Sequence, residues 1–276
     1  MFNKLKGTIL QKKATLFYYS ILQLTHNVKN LLRFRKTDIF SSIDIETSTF
    51  CNRRCNHCPN SRFERGLLKN NILMKETLFK KIIDELETLK FKGRITFQHY
   101  NKPLLDSRLP ILVTYARKKL SKSKFIIFTN GDFLDISKYN QFVKAGLNKL
   151  ILTQHDEKKS KKVKEVFDFL KNHKTKTKLV YRKIKDMSLT NRGGLIKIKK
   201  ERLVPMCLNP VHSFVIQMDG KLILCCNDYQ GAASFGDVNN QSILEIWKNP
   251  DYKKIRKELK KQIYSLPICK KCTSKK

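Results

Sequence analysis

The chain has 276 residues, room for one large domain with a small appendage or for two modest ones. Hydrophobic residues make up 41%, against only ten Gly and seven Pro, so a sizeable core forms and wholesale disorder is excluded. The net charge of +35 is the kind of excess that marks binders of nucleic acid or anionic membrane, but the basic residues are scattered and mostly Lys. That distribution favours solvated helix faces, as in residues 74–90 and 251–264, over a concentrated nucleic-acid face.

At the N-terminus the longest apolar run, LFYYSILQL, is nine residues, far below the ~20 that a membrane span requires. Leu16, Tyr19, Leu22, Gln23, Val28, Leu31 and Leu32 recur at helical spacing. Residues 1–38 are therefore expected to be a helical extension that packs on the main domain, an acidic membrane surface being its other resting place. No secretory signal is visible, so the eight cysteines are expected in a reducing cytoplasm, where clustered thiolates mean metal rather than disulfides.

From residue 41 strands and helices alternate. SSIDIETST (41–49) reads as a strand, 74–90 as a helix with Leu78, Ile82, Ile83, Leu86 and Leu89 on one face, and RITF (94–97) as a short strand. Residues 109–120 predict a helix, 124–131 a strand running into a Gly turn, 135–147 a helix, 148–154 a strand, 160–173 a helix and 177–183 a strand. This rhythm predicts an α/β fold whose parallel sheet, with right-handed crossovers, is open or curled into a partial barrel. Chemistry in such sheets sits at the C-terminal strand ends. Beyond a boundary near 200–206 the pattern changes. HSFVIQMDGKLILCCND is a β-hairpin turning at Asp219-Gly220, and residues 242–264 form two helical pieces interrupted at Pro250.

Three cysteines, Cys51, Cys55 and Cys58, follow the first strand directly. A structural zinc wants four closed ligands; three thiolates on one loop leave a position open, which an iron–sulfur cube tolerates. The C-x3-C-x2-C run, the FTNG of 128–131 and the ILTQ strand end together resemble the radical S-adenosylmethionine superfamily. The resemblance implies a partial (β/α)6 TIM-like barrel over 39–203. It also implies a [4Fe–4S] cluster on the three cysteines, whose open iron chelates S-adenosylmethionine. One-electron cleavage then gives a 5′-deoxyadenosyl radical that abstracts a substrate hydrogen. An electron donor such as flavodoxin or ferredoxin is implied with it.

Residue by residue, the resemblance assigns cofactor contacts to His57, Asn101, Lys102, Asn130 and Gln154. His57 stands where the family has an apolar or aromatic residue, and Gln154 where it has a ribose-contacting one. Lys102 is a departure: in Asn101-Lys102-Pro103 it replaces the carboxylate of a Gly-Glu-Pro form, and a lysine accepts no hydrogen bond from an ammonium. Cys207, Cys225, Cys269 and Cys272, with the DGK hairpin and FGDVNNQSILEIW, resemble the twitch or SPASM-like C-terminal extension of the same superfamily over 204–276. Four thiolates close one auxiliary [4Fe–4S] cluster; a zinc site from the same four is the alternative. The sequence ends four residues after Cys272, so no second auxiliary cluster is expected, and Cys226 is left over.

A radical site beside an electron-accepting cluster suits oxidation of an alcohol to a carbonyl. Candidates for substrate chemistry are Tyr100, His155 and Arg192, with His99, Asp156 and Arg182 also at strand ends and Gly193-Gly194 allowing close backbone approach. Arg192 is suited to pair a cofactor carboxylate or a substrate anion. A small sugar-like or cyclitol substrate is the favoured reading. A peptide maturase and a basic RNA-binding iron–sulfur protein are the alternatives.

Overall fold

The computed structural model describes residues 9–198 and 207–273, so the expected boundary at 203/204 lies outside the described residues. The chain divides into two compact units, Met1–Ile39 and Phe40–Lys276. The first holds helix α1 (Ile9–Phe34), and buried Asn30 closes it by donating from Nδ2 to Ile39 O at 2.7 Å. No described helix is long and apolar enough to cross a membrane.

In the second unit, β1 (Ser42–Ile45), β2 (Arg94–Thr96), β3 (Lys124–Thr129), β4 (Lys149–Gln154) and β5 (Lys178–Lys183) run parallel. Helices α2 (Glu76–Thr88), α3 (Leu109–Lys119), α4 (Ile136–Lys144) and α5 (Lys161–Asn172) make the crossovers. Their apolar faces drive docking: α2 buries Leu78, Ile82, Ile83 and Leu86 as its spacing predicts, and Phe79 with them, while Leu89 caps the helix end half-buried. The starts of α4 and α5 are set by caps: Asp135 accepts from Lys138 N at 2.7 Å and Ser160 from Val163 N at 3.3 Å.

The expected hairpin is present as β6 (Ser213–Ile216), preceded by the short α6 (Asn209–His212), and β7 (Lys221–Ile223). Gly220 holds φ +96° at its turn, where an added Cβ would meet Asn239 at 2.4 Å. The hairpin does not form a sheet of its own. β6 pairs parallel to β1, so the sixth parallel strand of the partial barrel comes from the cysteine-rich C-terminal part. β8 (Ser234–Asp237), which the sequence reading did not find, completes the order β5-β4-β3-β2-β1-β6-β7-β8. Helices α7 (Ile243–Lys248), α8 (Pro250–Lys260) and α9 (Pro267–Thr273) follow, and Cys269 and Cys272 ride on α9.

Within the second unit, an aromatic core joins the barrel strands to the C-terminal helices. Phe40 lies 5.3 Å from Phe91, 5.0 Å from Phe214 and 5.3 Å from Trp247, and the Arg256 guanidinium sits 3.7 Å above the Trp247 ring. Trp247→Ala empties the largest fully buried side chain and is expected to cost about 3–5 kcal/mol in urea unfolding. A loss under about 1 kcal/mol would contradict this packing.

Candidate active site

The cysteine loop leaves the sheet where β1 ends. Cys51 N donates to Gly66 O at 3.2 Å and Cys58 N to Cys55 O at 2.8 Å, which turns the loop back on itself. Lys102 N donates to Phe50 O at 2.8 Å, fastening the loop to the chain beyond β2. Arg53 ties it to two further strand ends. Its guanidinium donates to Asp156 at 2.9 and 2.6 Å, and to Asp132 at 2.6 Å and through a second, shorter bond. Side-chain hydrogen bonds to both carboxylates raise the Arg53 pKa above the usual guanidinium value. Burial pushes Asp132 up, but Arg53 and Asn52 outweigh it and hold Asp132 below the carboxylate range. The sequence reading missed Arg53 and Asp132, because no local pattern pairs residues 79 positions apart.

These connections enclose a cavity of about 250 Å³ at the C-terminal strand ends. Cys51, Cys55, Cys58, His57, Tyr100, Asn101, Lys102, Asn130, His155 and Arg192 all line it, with His99, Thr153 and Cys226. Gln154 is not brought there. Strand residues alternate faces, so Thr153 takes the cavity side. Gln154 instead accepts from Tyr181 OH at 2.6 Å and donates to the carbonyls of Asp156 and Glu157 at 2.7 and 2.9 Å. The Asn130 amide donates to Asn52 and Asp132, and Asn101 donates to Ser48 at 3.2 Å, so both brace the loops that form the wall.

His155 and Asp156 serve different partners. Asp156 binds Arg53, while the His155 ring stacks on His57, centroids 5.4 Å apart, with Nδ1 3.8 Å from Cys55 Sγ. Burial and neighbouring cations, Lys102 first, push His155 down to about 4, and burial with Arg192 lowers His57, so both rings are neutral at pH 7. Burial takes His99 down to about 3; its Nε2 lies 3.1 Å from Cys226 O, as a donor in that tautomer. No carboxylate lines the cavity among the described residues. Buried Glu46 is engaged by Arg65 and by Tyr100 N. Three polar atoms of wall residues, His99 Nδ1, Tyr100 OH and Arg192 Nε, are buried without a hydrogen bond among the described residues; His99 Nδ1 faces the Glu46 carboxylate at 3.9 Å, which leaves Tyr100 OH and Arg192 Nε as the unpartnered pair. Arg192 owes its position to strained backbone: it holds φ +55°, and Gly193 follows at φ +68°, where an added Cβ would meet Ile268 of α9 at 2.7 Å. Arg182, by contrast, lies over Phe128 and donates to Thr153 at 3.1 Å.

The second cysteine set, Cys207, Cys225, Cys269 and Cys272, lines a separate apolar cavity of about 20 Å³. Cys226 lines the main cavity instead, with its Sγ accepting from Asn209 Nδ2 at 3.7 Å, which separates it from Cys225. Asn227 donates to Cys225 Sγ from its backbone at 3.4 Å and to Cys272 Sγ from its side chain at 3.2 Å. Burial and mutual thiolate repulsion push Cys269 up to about 12 and Cys225 well above the normal thiol value. Thiols raised in this way ionise side by side only around a strongly cationic core.

Both donor sets fit iron–sulfur clusters. A tetrahedral zinc site has sulfurs about 3.8 Å apart, set by its Zn–S bonds. Among the described residues, the ligand atoms that all gather within 4.8 Å belong to Cys55, His57 and His155, and neither full cysteine set does so. The spacing therefore suits a cube rather than a single ion.

A partial α/β barrel with an open three-cysteine site, joined to a closed four-cysteine site, defines a class of cluster-dependent radical enzymes. The profile of the radical SAM superfamily matches residues 45–186, and that of the SPASM iron–sulfur cluster-binding domain matches 207–273. This chain belongs to the radical SAM superfamily and carries a C-terminal auxiliary-cluster domain. Its cofactors are S-adenosylmethionine, the [4Fe–4S] cluster that binds it and an auxiliary iron–sulfur cluster, and it is an oxidoreductase.

Among known proteins it is similar to the S-adenosyl-L-methionine-dependent 2-deoxy-scyllo-inosamine dehydrogenase of Niallia circulans. The two are 34% identical over 239 residues, covering 86% of this chain and 94% of that protein. The structure of BtrN in complex with AdoMet and 2-DOIA superposes with a TM-score of 0.76 at 32% identity, covering 85% of this chain and 93% of that one. The fold extends to anSMEcpe with bound AdoMet, at TM-score 0.56 and 13% identity over 84% of this chain and 88% of that one.

Proposed function

We propose that this enzyme oxidises a ring hydroxyl of a small cyclitol or sugar-like molecule to a ketone. The observation that carries the reading is the pair of unpartnered buried groups, Tyr100 OH and Arg192 Nε, in a cavity bounded by the three-cysteine loop on one side and by Cys226, next to the auxiliary ligand Cys225, on another. A buried polar atom without a partner is costly, so each is suited to a substrate oxygen. The similarity to the 2-deoxy-scyllo-inosamine dehydrogenase supports a cyclitol, and a cavity of about 250 Å³ suits a small ring.

When bound, the cofactors supply hydrogen-atom abstraction at one end of the cavity and an electron sink at the other. The chain's own residues do the rest. Arg192, always charged, holds the hydroxyl oxygen and cannot itself take its proton. With no carboxylate at hand, neutral His155 is the proton acceptor: in the tautomer whose Nδ1–H donates to the Cys55 sulfur, Nε2 keeps a free lone pair. Tyr100 orients a neighbouring hydroxyl. His57 would cover the cofactor's flat base, and Asn101 and Asn130 brace the loops that would surround it. A one-electron donor of the flavodoxin or ferredoxin type primes the reaction.

Anaerobically reconstituted protein, given S-adenosylmethionine, dithionite and 2-deoxy-scyllo-inosamine or a deaminated cyclitol, should form 5′-deoxyadenosine and a cyclitol ketone in equal amounts. Arg192→Met should retain full iron and lower kcat/KM by about 10²-fold, the loss expected for one oriented buried donor. 5′-Deoxyadenosine without any cyclitol oxidation would sink the substrate reading.

A further inference from the structure

Asn227 touches both the auxiliary thiols and the loop that presents Arg192. It follows Cys225 and Cys226, which line different cavities, and its own side chain is buried beside the four auxiliary cysteines. Its backbone N–H donates to Cys225 Sγ at 3.4 Å and its side-chain Nδ2 to Cys272 Sγ at 3.2 Å. Among the described residues that line this cavity, it is the one side chain that donates to a ligand sulfur. Pro210, Leu224 and Ile268 have nothing to donate, and the Thr273 hydroxyl is directed at Cys269 O, 2.8 Å away.

The other end of the same amide is held from the substrate side. Asn227 Oδ1 accepts from Thr190 Oγ1 at 3.3 Å. A hydroxyl can face either end of an amide, but a ligand thiolate accepts and never donates, so Nδ2 belongs on the sulfur and Oδ1 on Thr190. Thr190 stands two residues before Arg192, and its loop is sealed against α9. Asn191 Nδ2 donates to Lys271 O at 2.8 Å, and a Cβ added at Gly193 would meet Ile268 at 2.7 Å. One loop therefore presents Arg192 to the main cavity and fixes the amide that faces the auxiliary cysteines.

Reduction adds negative charge to a cluster and its sulfurs. In an apolar enclosure that charge is poorly solvated, so reduction is disfavoured. An N–H aimed at a ligand sulfur stabilises the reduced state more than the oxidised one, and hydrogen bonds of this kind are among the levers that set cluster potentials. We propose that the Asn227 carboxamide, held in one orientation by Thr190, raises the reduction potential of the auxiliary cluster and so fits it to accept an electron. Asn227 is a positioning residue that acts through Cys272, and Thr190 acts through Asn227. The shift in potential rests on the auxiliary cluster alone; its use in oxidising a substrate rests on the reaction proposed above.

The test is anaerobic potentiometry, followed by electron paramagnetic resonance, on the full chain with both clusters and no substrate. The Cys51→Ala chain identifies which signal is the auxiliary one. Asn227→Leu, similar in shape and without a donor, should take up full iron and lower the auxiliary potential by about 59 mV or more, a tenfold change in the equilibrium for one electron. Thr190→Val should lower it by a smaller amount, and Thr190→Ser, which keeps the hydroxyl, should restore it. An unchanged potential in Asn227→Leu would overturn the proposal, and so would a rise. A rise is what a loosened site gives, since entering water favours the more charged, reduced state. If Asn227→Leu fails to hold the auxiliary cluster, the Thr190 variants decide: equal potentials in Thr190→Val and the unaltered chain would overturn it. Because no substrate is present, the expected shifts in a protein that oxidises no cyclitol would support this inference while sinking the substrate reading.

Discussion

Cys55→Ala protein, reconstituted without oxygen, is expected to hold about four irons fewer than the unaltered chain and to form no detectable 5′-deoxyadenosine. Three sulfurs are the minimum that holds a cube with one corner open. The nearest substitutes are the nitrogens of His57 and His155, which lie within 4.8 Å of one another and of Cys55 Sγ. Both rings are neutral, so they are able to ligate, but an imidazole contributes no negative charge. Cys51→Ala lacks such neighbours and serves as the stricter comparison. Electron paramagnetic resonance after dithionite should show only the auxiliary signal in both variants. Near-normal cleavage of the nucleoside by either one would remove this loop from the mechanism.

Cys272→Ala should separate initiation from oxidation. The variant is expected to lose the auxiliary cluster, keep reductive cleavage of S-adenosylmethionine and fail to release a ketone. It should also be less stable, because ligand binding in a closed site is folding energy. Cys225 and Cys269 pack with Val211, Leu224, Leu259 and Tyr264 in one buried cluster. Cys272 is held beside them by the amide of Asn227, at 3.2 Å. A loss of about 3 kcal/mol, on the order of 10 °C in Tm for a chain of this size, is expected in calorimetry. Because β6 belongs to the same sheet as β1, the damage should spread to the barrel rather than stay in the tail. Full ketone formation with only about four irons would show that the second cluster takes no part.

The two cysteine sets also show why Cys226 was hard to place from its position in the chain. Cys225 and Cys226 are adjacent, and a single residue of register sends one side chain to each cavity. Gln154 is the same lesson with the opposite result. The strand end was legible, but the face was not, and its neighbour Thr153 holds the place expected for Gln154. The strand read over 41–49 is also shorter than its alternation suggests. It ends at Ile45, and buried Thr47, Ser48 and Thr49 turn toward the cysteine loop through bonds to residues 70–74.

What the sequence alone determined is local chemistry and local period. Thiolate spacing set the three-cysteine site, and helical or alternating apolar residues set each barrel element from β1 to β5, because both depend on neighbours within about one turn or one strand; the four-cysteine site, spread over residues 207–272, was legible only through its resemblance to a known extension. Only the tertiary structure decided which faces meet. It made β6 the sixth parallel strand, clamped Arg53 between Asp132 and Asp156, and left Tyr100, Lys102 and Arg192 facing one cavity. Those arrangements join residues many tens of positions apart, and their energy comes from burying apolar faces together, a property of the assembled sheet that no short stretch contains.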